Sequence, residues 1–406
     1  MRLVRQSVSL RGASRVLELI GTASGVAGKV PHWTTGRLWM MRLGHAKLTV
    51  PLPHADNWVW WVDHSVQIGQ EKCLVILGIR LADLPPRGTC LKHEDMELIA
   101  LIPRISWTRK DVADALEAAT ARTGVPRAII DDHGVDIAGG VSLFQTRHAQ
   151  AVEIYDIKHK AACLLKRRLE KDPRWQAFHT EVSRTRCAVQ QTEMAFLVPP
   201  GPKPKARFMN LKKLLRWAER ILAILAAPKE NVLRYVTAER LRDKFGWLEG
   251  YRDEVQQWAA WQRVVDVSVT FVNREGIYRK AADDLRRELP AQYGHETTRR
   301  LADELVAFVA AESAKARPDE RLPGSTEVLE SSFGRFKALE KNQAKGGFTS
   351  LVLAFGALLA KTTTAAIRAA LEASRTRDVI QWCRDHLGPT LFSKRKLAFF
   401  GATKPE

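Results

Sequence analysis

Apolar and polar positions follow two different rhythms along this chain. Between residues 57 and 106 apolar residues come in short runs, densest at Trp58-Val59-Trp60-Trp61-Val62 and Leu74-Val75-Ile76-Leu77, with polar or Pro/Gly-rich breaks between them. Runs of this length, rich in β-branched and aromatic residues, predict strands over 58–68, 73–81 and 97–106, and three strands in succession predict a meander. Thr108-Arg109-Lys110-Asp111 is a capping box that opens a helix, Val112, Leu116 and Ala119 form its apolar face, and Gly124 stops it. A fourth strand over 127–130 runs into Asp131-Asp132. A short helix after Gly139-Gly140 and a last strand near 152–157 complete the order β-β-β-α-β-α-β.

Beyond about residue 166 a helical period takes over. Leu214, Leu215, Ala218, Ile221, Leu222 and Leu225 share one face of a helix over 211–225, and no strand alternation of comparable length interrupts the chain up to 317. This predicts a mainly helical insertion domain over 166–320, divided by the Pro-rich loop 198–205. Trp217, Trp247, Trp258 and Trp261 lie within it, and the spacing of the last two fits core packing. Further helices are expected from Glu327 to Lys337, over the apolar stretch 348–360, which is too short to cross a bilayer, and through Ile380 and Trp382. At the other end, helices are expected over 9–20 and 34–43, the second capped by Thr34 or Thr35.

Composition narrows the partners. In 406 residues, room for two or three domains, 64 Lys and Arg stand against 45 Asp and Glu, a net charge of +19 that favours a polyanion such as nucleic acid or an acidic membrane surface. No signal pattern and no spanning segment is read, so a cytoplasmic protein is expected rather than a secreted or membrane one. Five cysteines without CxxC spacing indicate neither a zinc ribbon nor a disulfide framework. Positive charge gathers in residues 1–50, where Arg37 and Arg42 would be the recognition-helix residues of a partial helix-turn-helix. It gathers again at Lys203, Lys205, Arg207, Lys212, Lys213, Arg216 and Arg220, a stripe able to neutralise several phosphates. The basic tail Lys394-Arg395-Lys396 could contact DNA, although tails of this kind are usually solvated.

The candidate chemistry lies in acids. Asp63 interrupts the first apolar strand, Asp131-Asp132 ends the fourth, and Glu327 and Glu330 stand at the start of a later helix. A carboxylate in or beside an apolar strand is unfavourable unless compensated, and two such strands suggest a shared divalent metal site. His64 and His133 flank two of these acids, but alternation turns an adjacent side chain to the other face, so a structural role is expected for both.

The segments Val62-Asp63-His64-Ser65-Val66-Gln67-Ile68-Gly69, Ile130-Asp131-Asp132-His133-Gly134 and Thr326-Glu327-Val328-Leu329-Glu330-Ser331-Ser332-Phe333-Gly334-Arg335-Phe336-Lys337 resemble DDE-type transposases of bacterial insertion sequences, over roughly residues 57–361. The resemblance implies an α/β ribonuclease-H-like core, a mixed five-stranded sheet with flanking helices, interrupted by the helical insertion and preceded by the short basic segment. In that layout the core divides into 51–165 and 321–406, the first strand is central, and the strand after the first helix lies parallel beside it. Asp63, Asp132 and Glu330 would then be the catalytic acids and the ligands of two Mg²⁺ ions, with Mn²⁺ as a substitute, serving two-metal phosphoryl transfer. The family's Asp-x-Gly favours Asp132 over its neighbour Asp131, and a Lys two helical turns after the Glu favours Glu330, matched by Lys337, with Glu327 as the fallback. Double-stranded DNA, as element ends and as target, would be the partner of a homodimer, contacted by Lys337, Arg335, His159, Lys160, Arg37, Arg42, Lys212, Lys213 and Arg216. Pro323 stands where the hairpin-forming group has a Tyr, which leaves the cleavage pathway open. Two other readings remain: a non-enzymatic DNA-binding protein derived from a transposase, and a structure-selective nuclease of the same fold.

Overall fold

The computed structural model describes the chain except for residues 1, 6–7, 26–27, 69–70, 86–88, 202–206, 210, 291–292, 342–349, 390 and 402–406. It falls into two units, residues 1–154 with 325–406, and residues 155–324.

The first unit is built on the expected meander. β1 (Trp58–Ile68) pairs antiparallel with β2 (Glu71–Arg80), and β2 with β3 (Glu97–Arg104). β4 (Ala128–Asp131) lies parallel to β1 on its other side, and with β5 (Val152–Tyr155) the sheet order is β3-β2-β1-β4-β5. The sheet is therefore mixed, with β1 central.

Three helices precede it, α1 (Arg2–Arg5), α2 (Leu10–Ser24) and α3 (Trp33–Thr49); α4 (Arg109–Thr123) and α5 (Val135–Gln145) alternate with the later strands. α4 begins as its capping box dictates: the Thr108 hydroxyl accepts from the Asp111 N–H, and the Asp111 carboxylate accepts from the Thr108 N–H at 2.9 Å. It ends at Gly124, whose φ of 81° only glycine adopts freely. Strand alternation sends Trp58, Trp60, Val62, Leu74, Ile76, Ile99 and Ile129 to one face, where they pack on Val112, Leu116 and Ala119 of α4 and Ile137, Val141 and Phe144 of α5. Gly139-Gly140 lies inside α5 rather than before it, because a Cβ on Gly140 would stand 2.5 Å from the Val112 Cβ. Omitting that Cβ lets α5 rest on α4.

α3 is longer than the 34–43 expected and starts after His32, not at a threonine cap. Its buried residues Met40, Met41, Leu43, Gly44 and Ala46 explain the extension, because they pack within this unit against the later helices.

The second unit is helical in its described residues apart from one bridge between Ile277 and Leu322. It comprises α6 (Ile157–Leu169), α7 (Pro173–Val189), α8 (Leu211–Ala226), α9 (Glu230–Leu233), α10 (Ala238–Phe245), α11 (Arg252–Glu275), α12 (Ala281–Glu288) and α13 (Glu296–Ser313). Trp175, Phe178, Phe245, Trp258 and Phe271 are buried in it. The periodic residues of α8, from Leu211 through Leu225, are buried as their spacing predicts. The Ile157 N–H donates to the Gly324 carbonyl at 3.2 Å, so the two ends of this unit meet.

The chain then returns to the first unit with α14 (Glu327–Lys341), α15 (Ala354–Leu359), α16 (Thr364–Ala373), α17 (Thr376–His386) and α18 (Leu391–Phe400). α15 is buried throughout, shorter than the stretch 348–360 from which it was expected. Among the described residues no helix is long and apolar enough to cross a membrane.

Candidate metal centre on β1 and β4

The first two acids lie on β1 and just past the end of its parallel neighbour β4. Trp61 of β1 stands opposite Ile130 of β4, and Asp63 and Asp132 each lie two residues further on. Alternation puts Asp63 on the sheet face of Trp61, whereas Asp132 follows the last residue of β4 and lies at the entry to α5. Each carboxylate is half-buried and oriented by the backbone: Asp63 Oδ1 accepts from the His64 N–H at 2.6 Å, and Asp132 Oδ1 from the Gly134 N–H at 2.9 Å, at the entry to α5.

The third acid reaches this region through α14, which packs on β1. The Trp61 indole N–H donates to the Ser325 carbonyl at 2.9 Å, just ahead of the helix, and His93 shares a 2.9 Å hydrogen bond with the Ser332 hydroxyl. Val328, Leu329, Phe333 and Phe336 bury the inner face. Glu330 is half-buried beside that face, whereas Glu327, Arg335 and Lys337 are exposed. Asp63, Asp132 and Glu330 are not a group whose ligand atoms lie within 4.8 Å of one another, so the structure brings the first two into register and the third onto a helix docked at the same strand. Three carboxylates without a soft donor suit a hard divalent cation such as Mg²⁺ in chemistry. Trp61→Phe should cost about 1 kcal/mol of stability through the lost hydrogen bond. A lowered urea midpoint with unchanged far-UV circular dichroism is the expected reading.

A second cluster escaped the sequence. Asp131, His133 and Glu153 bring their ligand atoms within 4.8 Å of one another. Asp131 is fully buried; its Oδ1 accepts from the His133 N–H at 2.6 Å, while Oδ2 has no hydrogen-bond partner. His133 adopts φ 59°, in the left-handed region, and its Nε2 lies 3.1 Å from Glu153 Oε1. Burial first, and then the charge of Glu153, push the Asp131 carboxyl up to about 8. The available signal was Glu153 itself, an acid inside the apolar run Val152-Glu153-Ile154.

His64 has the structural role expected of it. Its Nε2 lies 2.9 Å from Asp136 Oδ2 in the first turn of α5, and burial holds its pKa below the ordinary imidazole value. His159 on α6 lies 3.5 Å from Asp156, the residue that caps that helix, and the Lys160 ammonium sits 5.5 Å from the centre of the Phe308 ring. Lys212 is paired with Asp266 at 2.5 Å, while Lys213, Arg216 and Arg220 line the exposed face of α8. Lys203 and Lys205 lie outside the described residues, as does most of the loop around them. Arg37 and Arg42 are taken up within the first unit: Arg37 donates to the Ser350 hydroxyl at 2.8 Å, and Arg42 to the carbonyls of Leu371 and Ser374 at the end of α16. The tryptophans are structural too, with Trp217, Trp247 and Trp261 donating to Leu197 O, Thr185 Oγ1 and Thr297 Oγ1 and Trp258 buried.

Fold and site together define an α/β unit with a mixed five-stranded sheet, one acid on its central strand and another just past the end of the parallel strand beside it, joined to a mainly helical unit. No protein-family model matches the chain, and no curated protein matches it.

Proposed function

We propose that the chain is a DDE-type DNA transposase of a bacterial insertion sequence, with a ribonuclease-H-like core that cuts element ends and joins the 3′-hydroxyl to target DNA. The observation that carries this reading is the placement of Asp63 and Asp132 two residues beyond the Trp61–Ile130 pair on adjacent parallel strands. An antiparallel meander with the fourth strand parallel to the first is the topology that reading requires.

Asp63, Asp132 and Glu330 would hold the two Mg²⁺ ions, which when bound lower the pKa of an attacking hydroxyl and offset charge on the leaving oxygen. The rest is the work of the chain's own groups. Backbone N–H groups of His64 and Gly134 fix the two aspartates, and the Trp61 and His93 hydrogen bonds hold the start of α14 and with it Glu330. The His64–Asp136 pair ties β1 to the first turn of α5, next to Asp132. Lys213, Arg216 and Arg220 offer phosphate contacts on α8, with Arg335 and Lys337 on α14. A homodimer would present two element ends together.

The test is to incubate the protein with Mg²⁺ and labelled duplexes copied from the sequences flanking its gene. Cutting at an end followed by joining to a second duplex is expected. A gel shift without cutting would leave a DNA-binding protein only, and cutting without joining would leave a nuclease of the same fold. Replacing Lys213, Arg216 and Arg220 together by Gln should reduce the slope of log affinity against log salt by about 2–3, since each phosphate contact contributes about 0.9. An unchanged slope would remove α8 from the DNA surface.

A further inference from the structure

We propose that Asp131, His133 and Glu153 form a separate binding site for a divalent transition ion, with Zn²⁺ as the occupant that fits its donors. The site is independent of the transposase reading and uses none of its three acids. Asp131 falls on the sheet face of Ile129, which packs on α4 and α5, whereas Asp63 falls on the face of Trp61.

Three observations carry it. The ligand atoms of the three side chains already lie within 4.8 Å of one another, and His133 Nε2 and Glu153 Oε1 are 3.1 Å apart. Donors around one zinc ion, bound at about 2.0–2.2 Å, can be at most about 4 Å apart, so only a small closure is needed. Asp131 is fully buried, yet Oδ2 has no hydrogen-bond partner, an arrangement that is costly unless something else meets that oxygen. The Asp131 and Glu153 carboxylates, finally, have no hydrogen to offer each other, so a cation or a proton must lie between them.

The donor set decides which cation. Two carboxylate oxygens and one imidazole nitrogen leave a fourth position of a tetrahedron open, and imidazole draws Zn²⁺ more than Mg²⁺. An ion held here would join the end of β4 to β5. Its ligands at 131 and 133 also bracket Asp132 in the chain, so it would hold the backbone on both sides of that residue.

The experiment uses full-length protein in an Asp63→Asn/Glu330→Gln background, which weakens the other acid centre. Metal-free protein is loaded with Zn²⁺, desalted and analysed for bound metal, and its melting temperature is followed during titration. One equivalent of Zn²⁺ is expected, with Tm raised by about 5–10 °C when free Zn²⁺ exceeds Kd about a hundredfold. Adding Glu153→Gln should abolish both the bound equivalent and the shift; its amide can donate to Asp131, so the fold is expected to persist, as circular dichroism can verify. His133→Ala should do the same. No bound Zn²⁺ and an unchanged Tm in the parent would overturn the proposal in favour of a shared proton, and so would Zn²⁺ retained in full by Glu153→Gln.

Discussion

Asp132→Asn is expected to abolish Mg²⁺-dependent cutting of an element-end duplex while leaving the gel shift of that duplex intact. The two side chains have the same shape, and the asparagine oxygen can still accept from the Gly134 N–H, which Asp132 Oδ1 does at 2.9 Å. The entry to α5 should therefore survive, and what is lost is one negative charge and one cation donor. Loss of an outer partner of a metal ligand typically costs about 10–100-fold, so loss of a ligand itself should exceed that range. Asp63→Asn and Glu330→Gln should behave alike. Glu327→Gln, on an exposed residue one helical turn before Glu330, should leave cutting unchanged, and this pair decides between the two glutamates. Cutting at native rates by Asp132→Asn would remove the residue from the chemistry.

The largest effect on stability is expected from Gly44→Ala. A Cβ at this position of α3 would stand 1.6 Å from the Leu353 carbonyl oxygen and 2.6 Å from its carbon. These are backbone atoms, so no rotamer change relieves the clash. Gly356 of α15 meets the same crossing from the other side, its Cβ position 2.7 Å from the Gly44 carbonyl oxygen. Overpacking usually costs about 1–3 kcal/mol, and a backbone clash belongs at or above the upper end. Taking about 3 kcal/mol, Tm should fall by about 6–12 °C for a unit of this size. Gly36→Ala on the same helix is the control, because its nearest neighbour is Leu10 Cδ2 at 3.8 Å and alanine improves helix propensity. Equal melting temperatures for the two variants would mean that α3 and α15 do not cross as described.

What could be read from the sequence was what local chemistry determines. β1 spans the residues its apolar run outlines, α4 keeps both predicted caps, and α8 buries the predicted stripe. What could not be read depends on partners far along the chain. Gly139-Gly140 looked like a helix start because its purpose, contact with Val112, lies in another element. The acceptors of Arg42, Leu371 and Ser374, could not be foreseen because they come at the far end of the chain. In the candidate site, Asp63 and Asp132 were legible through strand order. Glu153 was not, because an acid on a short strand acquires meaning only when pairing brings it beside Asp131.

The hydrogen bond from Ile157 to Gly324 closes the second unit on itself. A segment whose two ends meet asks little of chain entropy for its length, because the entropy of closing a loop grows only slowly with that length. The helical unit is in that sense a cassette.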